Sequence, residues 1–278
     1  MTLKSYAKIN LGLRILKKRA DGFHDLETVF REIALFDEIE LQSADAIEFE
    51  TSHPQLSSSH ENLCVRSAEL LRQQSGVSNG VRMVLKKNIP IGAGLGGGSS
   101  NATTVLRGLN QLWNLQFSNE KLRSFASELG SDAPFFVEGG TAHATGRGEL
   151  LNKFLLPLPY WIVTVTPPVH VSTPWAYRAL NWSKVLTPIG LSQQWLHYSP
   201  TSLGQLLQND FEPVVFYGFP EIKSVYDAIQ GSGSIATSMS GSGSTIFGFY
   251  ESEAAAISTA LRLKPLGIVS ITSPDFSR

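Results

Sequence analysis

Between Pro90 and Asn101 the chain reads Pro-Ile-Gly-Ala-Gly-Leu-Gly-Gly-Gly-Ser-Ser-Asn, and only Ala93 and Leu95 interrupt the glycines from Gly92 to Gly98. Glycine costs roughly 0.5–1 kcal/mol against alanine in ordered structure, so a segment this rich serves something side chains would obstruct. Upstream, Val81, Met83 and Leu85 alternate as a strand that ends at Pro90. Downstream, Ala102, Val105, Leu106, Leu109 and Leu112 recur at helical spacing. Strand, glycine loop and helix in that order set converging backbone N–H groups at a helix N-terminus, where the dipole adds roughly half a positive charge. Phosphate is the expected guest. A structural glycine turn with a capping serine is the competing reading.

Two common phosphate-binding loops fail on context. Gly92-x-Gly94-x-x-Gly97 fits the dinucleotide fingerprint, but that fold needs an acidic residue closing a second parallel strand about 20 positions on. Here that region is Gln116-Phe117-Ser118-Asn119-Glu120, which opens a helix. A Walker loop would end in Lys-Ser or Lys-Thr, and this one ends in Ser99-Ser100-Asn101. Those serine hydroxyls can reach phosphate oxygens or a magnesium ion.

The rest of the chain is ordinary globular α/β (α+β) sequence. Its 278 residues carry 23 Lys+Arg against 24 Asp+Glu, a net charge of −1 that gives no basic field for nucleic acid or a membrane surface. Cys64 is the one cysteine, so neither an intrachain disulfide nor a cysteine zinc site is expected. With no apolar signal core after Met1 and no run long enough to span a bilayer, a soluble, cytoplasmic protein is expected. Ile9, Leu11, Leu13 and Ile15 alternate with Lys8, Asn10, Gly12 and Arg14 as a half-buried strand. Glu38–Gln42 and Ile47–Glu50 read as a hairpin, Ser58-x-x-Glu61 as a capping box, and Ser118 to Leu129 as a helix stopped by Gly130. Prolines after Leu150 suggest a boundary, giving domains 1–152 and 153–278. In the second, a strand at Tyr160–Thr166, helices near Pro174–Leu180, Leu203–Gln208 and Glu221–Gln230, strands at Ile235–Met239 and Thr245–Tyr250, a helix at Ala254–Leu263 and a strand at Ile268–Thr272 follow the ferredoxin-like pattern.

Three segments in order carry a family resemblance. Pro90 through Ser100 resembles the second motif of the GHMP kinases, Ala7-Lys8-Ile9-Asn10-Leu11 the first, and Ser240-Gly241-Ser242-Gly243-Ser244 the third. Arg19-Ala20-Asp21-Gly22-Phe23-His24 and Leu129-Gly130-Ser131-Asp132-Ala133-Pro134-Phe135-Phe136 are similar to one branch, which serves non-mevalonate isoprenoid precursor synthesis. The resemblance implies the two-domain GHMP kinase fold, with an N-terminal ribosomal-protein-S5-like ATP-binding domain and a C-terminal ferredoxin-like domain. It implies ATP-dependent phosphorylation of the 2-hydroxyl of 4-diphosphocytidyl-2-C-methyl-D-erythritol, giving ADP and the 2-phosphate, with Mg2+ as cofactor. The partner is then a small molecule carrying cytidine diphosphate, with neither nucleic acid nor membrane involved, and the chain a monomer or weak homodimer.

By that resemblance Asp132 accepts the hydroxyl proton and Lys8 orients and compensates charge. Read alone, Asp132 is better explained as an Asx-turn carboxylate, while Lys8, which interrupts an apolar strand, has a stronger case against the competing reading of a snorkelling strand lysine. Pro90, Ile91, Gly92, Ala93, Gly94, Leu95, Gly96, Gly97, Gly98, Ser99 and Ser100 cradle the nucleotide phosphates. Phe23 stacks on cytosine, His24 bonds its edge, Tyr177 forms a second wall, and Asn10 and Thr173 contact the methylerythritol or diphosphate end. His24 has no second ligand at metal spacing, and no metal-binding side-chain set is expected.

Overall fold

The computed structural model describes the chain except for residues 55, 57–60 and 181–187. It divides into two units that interleave along the sequence. Met1–Ala7, Phe36–Ile91 and Gly96–Gly139 make the first; Lys8–Leu35, Gly92–Leu95 and Gly140–Arg278 make the second. The long strands β1 (Thr2–Lys18) and β2 (His24–Ala44) each contribute residues to both.

In the first unit, β3 (Ile47–Thr51) leads to helix α1 (Leu63–Ser75) and then to β4 (Gly80–Lys86). Strand β4 pairs parallel with β3 and antiparallel with the second half of β2, so it lies between them. The expected Glu38–Gln42/Ile47–Glu50 hairpin is therefore not formed. Two things favour the insertion. Val81, Met83 and Leu85 are all buried, which suits the position with a neighbour on each side, and Gly80 lets the Ala46 backbone cross close by. A Cβ on Gly80 would lie 2.4 Å from Ala46 N.

Ser58 of the expected capping box lies outside the described residues. The observed cap of α1 is Asn62, whose Oδ1 accepts the Cys64 N–H at 2.9 Å. Helices α2 (Gly97–Leu112) and α3 (Asn119–Leu129) follow, the latter capped by Ser118 and ended at Gly130 as expected. Ile39, Leu41, Met83 and Leu85 of the strands pack with Val105, Leu109, Leu122 and Phe125 of these helices. Each such side chain contributes roughly 1.5–3 kcal/mol on full burial.

In the second unit, β5 (Thr141–Thr145) pairs with Thr28–Arg31 of β2 and with β6 (Leu150–Lys153). Strand β1 is buried on both faces here: Lys8, Asn10 and Gly12 are covered as fully as Ile9 and Leu11, which corrects the half-buried expectation. The second face is polar yet dry, because its groups bond to one another rather than to water.

The chain continues through β7 (Trp161–Thr166), α4 (Thr173–Ala179), α5 (Leu191–Leu196), α6 (Leu203–Leu206), α7 (Glu212–Gly218), α8 (Pro220–Gln230), β8 (Ala236–Met239), β9 (Ile246–Tyr250), α9 (Glu253–Leu263) and β10 (Ile268–Thr272). The antiparallel sheet β10-β7-β9-β8 has the ferredoxin-like strand order the sequence suggested. Helices α5 and α7 were not foreseen. Each spans fewer than two turns, too short for a 3.6-residue period to stand out.

Candidate active site

Lys8 is only 3% exposed, and a bare buried ammonium would be costly. Its Nζ donates to Asn10 Oδ1 at 2.8 Å and lies 4.8 Å from the Phe30 ring centroid. The period-2 geometry of β1 places residues 8 and 10 on one face, so the pairing is local. Asn10 Nδ2 donates to Thr28 Oγ1 at 2.9 Å, and that hydroxyl donates a hydrogen bond to Gly12 O at 2.5 Å. The backbone N–H of Asn10 reaches Ser240 Oγ at 3.3 Å, and Ser240 Oγ donates to Gly94 O at 2.9 Å.

Gly92–Leu95 is held on two sides. Lys8 N–H donates to Leu95 O at 3.0 Å and Thr245 N–H to Ala93 O at 3.2 Å. Ala93 and Leu95 are buried, so their side chains anchor the loop and leave its backbone for a ligand. Gly94 has φ +79°, and a Cβ there would stand 2.0 Å from Ser240 O. No other residue type fits that crossing of two glycine loops. Thr173 and Ser242 share a hydroxyl bond at 2.9 Å. The second unit thus joins Lys8, Asn10, Thr173, Gly94 and the Ser240–Ser244 loop in one connected set.

The first unit holds the helix that begins at Gly97. Asp37, fully buried, fixes the approach to it by accepting from Lys87 Nζ at 2.5 Å, Asn88 N–H and Ile89 N–H at 2.7 Å each, and Asn101 Nδ2 at 2.8 Å. Burial lowers the pKa of Lys87, and the Asp37 carboxylate opposes that shift. Helix α2 has Gly96 as its cap residue and no acidic residue in its first turn, which leaves its positive end clear for an anion.

Ser100 donates to Tyr6 O at 2.6 Å and lies 2.7 Å from Ser5 Oγ, so its hydroxyl braces the helix from within. Ser99 is partly exposed, and a Cβ on Gly130 would lie 3.4 Å from its hydroxyl. The loop carrying Asp132 therefore runs past the start of α2. Asp132 precedes the 3₁₀ turn Ala133–Val137, whose residues are all buried, and Thr103 Oγ1 pins Ala133 O at 2.8 Å. Asp132 stands at the N-cap position of that turn without a side-chain capping bond to it.

Among the aromatic candidates, His24 and Tyr177 stack at 4.3 Å with planes 9° apart, and Phe211 meets Tyr177 edge-on. Phe23 stands apart from Tyr177's stack: it is 49% exposed, with the Arg147 guanidinium 4.6 Å from its ring centroid. Its loop is closed by Asp21 Oδ1 accepting the Phe23 N–H at 3.1 Å. Burial, then the charge of Lys18, lowers the His24 pKa, favouring a neutral ring with one donor and one acceptor nitrogen.

Ser240, Ser242 and Thr28 had not been singled out, although the serines stood inside a recognised motif; Thr28 gave no signal. Arg147 lies 3.6 Å from Glu149 and also covers the Phe23 ring.

Residues 62–140 match the GHMP kinases N terminal domain and residues 197–265 the GHMP kinases C terminal domain. The 4-diphosphocytidyl-2-C-methyl-D-erythritol kinase of Prosthecochloris aestuarii is 43% identical over 281 residues, covering 100% of this chain and 98% of that protein. That of Chlorobium limicola is 43% identical over 284 residues, with coverage of 100% and 98%. A crystal structure of 4-(cytidine 5'-diphospho)-2C-methyl-D-erythritol kinase superposes with a TM-score of 0.83 at 33% identity, covering 98% of both chains. A homoserine kinase from Cytophaga hutchinsonii shares the fold, with a TM-score of 0.75 at 20% identity over 98% of this chain and 94% of that one. With both halves of the kinase pattern matched and full-length relatives above 40% identity, the chain belongs to the GHMP kinases, in the 4-diphosphocytidyl-2-C-methyl-D-erythritol kinase family.

Proposed function

We propose that this chain transfers the γ-phosphoryl group of ATP to the 2-hydroxyl of 4-diphosphocytidyl-2-C-methyl-D-erythritol, releasing ADP and the 2-phosphate. The observation that carries the reading is the connected set Lys8–Asn10–Ser240–Gly94, which ties a buried ammonium to a glycine loop only glycine can form. Phosphoryl transfer needs phosphates held and charge compensated more than it needs covalent help. The backbone of Gly92–Gly98 with the positive end of α2 supplies the first, and Lys8 the second.

Asp132 takes the proton as the hydroxyl oxygen bonds to γ-phosphorus and the bond to the ADP oxygen breaks. Magnesium fits as an ion carried mainly by the nucleotide, with the Ser99 hydroxyl at the helix start as a hard oxygen donor, and it would neutralise charge on the β- and γ-phosphates. Among the described residues there is no cluster of three or more His, Cys, Asp or Glu to cage it alone. At the other end, neutral His24 reads a base edge, Tyr177 backs its ring, Phe23 offers a π-face, and Asn10 and Thr173 contact the polyol or diphosphate.

A coupled ADP-release assay with ATP, magnesium and the cytidyl substrate tests this, with mevalonate and homoserine alongside. Release with the cytidyl substrate alone is expected. Release only with another alcohol would discard the base-reading roles of Phe23, His24 and Tyr177, and no release at all would overturn the kinase reading.

A further inference from the structure

The segment Asn209–Phe211, between α6 and α7, lies outside every motif named so far, yet the side-chain bonds of Asn209 go to backbone. Asn209 is 4% exposed. Its Nδ2 donates to Met239 O at 2.7 Å and to Gly241 O at 2.8 Å, the carbonyls on either side of Ser240, while its Oδ1 accepts the Phe211 N–H at 2.9 Å. Both amide protons are thus spent on the glycine loop. The same segment is spliced to β1: Leu13 N–H donates to Gln208 O at 2.9 Å, and Asp210 N–H to Leu13 O at 3.0 Å. Asp210 meets Arg14 Nη1 at 3.0 Å and accepts the Ile15 N–H at 2.8 Å.

We infer that Asn209 is a positioning residue for phosphoryl transfer: it sets the height of the Ser240–Ser244 loop against β1 and so aims the Ser240 hydroxyl at Gly94 and Asn10. Three observations support a role beyond packing. The two bonds bracket one residue rather than spreading over a strand. That residue contacts both Gly94 O and the Asn10 N–H, and Asn10 in turn holds the Lys8 ammonium. Gly241 has φ +57°, and a Cβ there would lie 3.2 Å from Gly94 Cα, so the loop passes Gly94 at a glycine whose own carbonyl Asn209 holds. A carboxamide is the one neutral side-chain type whose two donors can hold two such carbonyls while its oxygen caps the next turn. The inference rests on the kinase reading for its consequence in turnover, though not for the geometry.

Two readouts test it. The first needs no turnover: amide hydrogen exchange at Ser240, Gly243 and Thr245, whose N–H groups bond to Thr245 O, Ser240 O and Ala93 O. Asn209→Ala is expected to speed exchange there by at least roughly tenfold while amides of β9 and β10 stay within about twofold. The second is a double-mutant cycle on kcat with Ser240→Ala. If Asn209 acts through Ser240, Asn209→Ala lowers kcat by roughly tenfold or more in the native background and by less than about twofold in the Ser240→Ala background, with KM for ATP little changed.

Asp210→Asn is the control. It weakens the tie to Arg14 but keeps both loop bonds, and should lower Tm while leaving kcat within about twofold. Where alanine at 209 prevents folding, Asn209→Ser, which keeps one donor, carries the same two measurements. Unchanged exchange at the three amides overturns the proposal whatever the substrate, and so does a multiplicative cycle or an equal kcat loss in Asp210→Asn. If the unsubstituted chain releases no ADP, the kinase reading fails while the exchange arm still decides the role of Asn209.

Discussion

Glu212 offers the sharpest test of the buried electrostatics. It opens α7 with its carboxyl largely buried, and burial pushes its pKa from 4.5 up to about 7, although the Met239 N–H and Ser238 hydroxyl bonds pull the other way. The Ser238 hydroxyl has one proton for two acceptors, Leu207 O at 2.6 Å and Glu212 Oε1 at 2.8 Å, so its support for the carboxylate is shared. A folded-state pKa above the unfolded one means folding takes up a proton. The stabilisation is full below pH 4.5, falls as pH rises from 4.5 to about 7, and is gone above that. At about 1.4 kcal/mol for each pKa unit, ionisation costs the fold roughly 3 kcal/mol by pH 8.

Glu212→Gln has no such titration, and its Oε1 still accepts the Met239 N–H. Thermal unfolding of both proteins from pH 4.5 to 8 isolates the effect, since other titrating groups are common to the pair. The Tm difference, Gln minus Glu, should grow by roughly 6–9 °C across that range. Parallel profiles would refute the raised pKa. A difference shrinking with pH would show that the two bonds outweigh burial and that the carboxylate is the stable folded form.

Asp132→Asn is expected to cut turnover by roughly 10²–10⁴-fold while a fluorescent nucleotide titration changes less than about threefold; retained turnover would remove Asp132 from the base role. Gly94→Ala should lower stability by about 2 kcal/mol or more, because the added Cβ meets Ser240 O at 2.0 Å at φ +79°. Gly98→Ala meets only Leu63 Cδ1 at 3.4 Å and should change stability by less than about 1 kcal/mol, so equal losses in calorimetry would contradict the loop geometry. Cys64, buried with its thiol pKa pushed up to about 12, should resist a disulfide-exchange reagent until the chain unfolds; rapid labelling of the native protein would show the site opens.

What could be read from the sequence follows from what is local. The glycine loop, the helix it opens, the Ser118 cap and the ferredoxin-like strand order are written in short-range periodicity and cap residues, and the structure has them. The hairpin failed because pairing is decided by which strand fills the central position. That choice depends on Val81, Met83 and Leu85 some forty residues from β2, and on a single glycine, Gly80, at the crossing. The two faces of β1 failed for a related reason. Alternation predicts a wet face wherever Lys and Asn recur, but Lys8 and Asn10 are supplied with partners by Thr28 and Ser240, and the latter lies 230 residues away.

The same distinction sorts the site residues. Those named from motifs sit in short segments whose own composition announces them. Asp37, Asn209 and Glu212 hold other segments at a distance, and nothing in Leu-Phe-Asp-Glu-Ile or Gln-Asn-Asp-Phe-Glu says so. Yet these carry the stricter geometric demand. A surface carboxylate exchanges partners with water at little cost, whereas Asp37 satisfies four protein donors at once, and removing its charge would strand a buried ammonium and two backbone N–H groups, each worth roughly 1–3 kcal/mol or more. Phosphoryl transfer by positioned backbone therefore needs two kinds of residue. Glycines open the loop, and buried carboxylates and amides elsewhere in the chain, together with the anchoring side chains of Ala93 and Leu95, give it one shape.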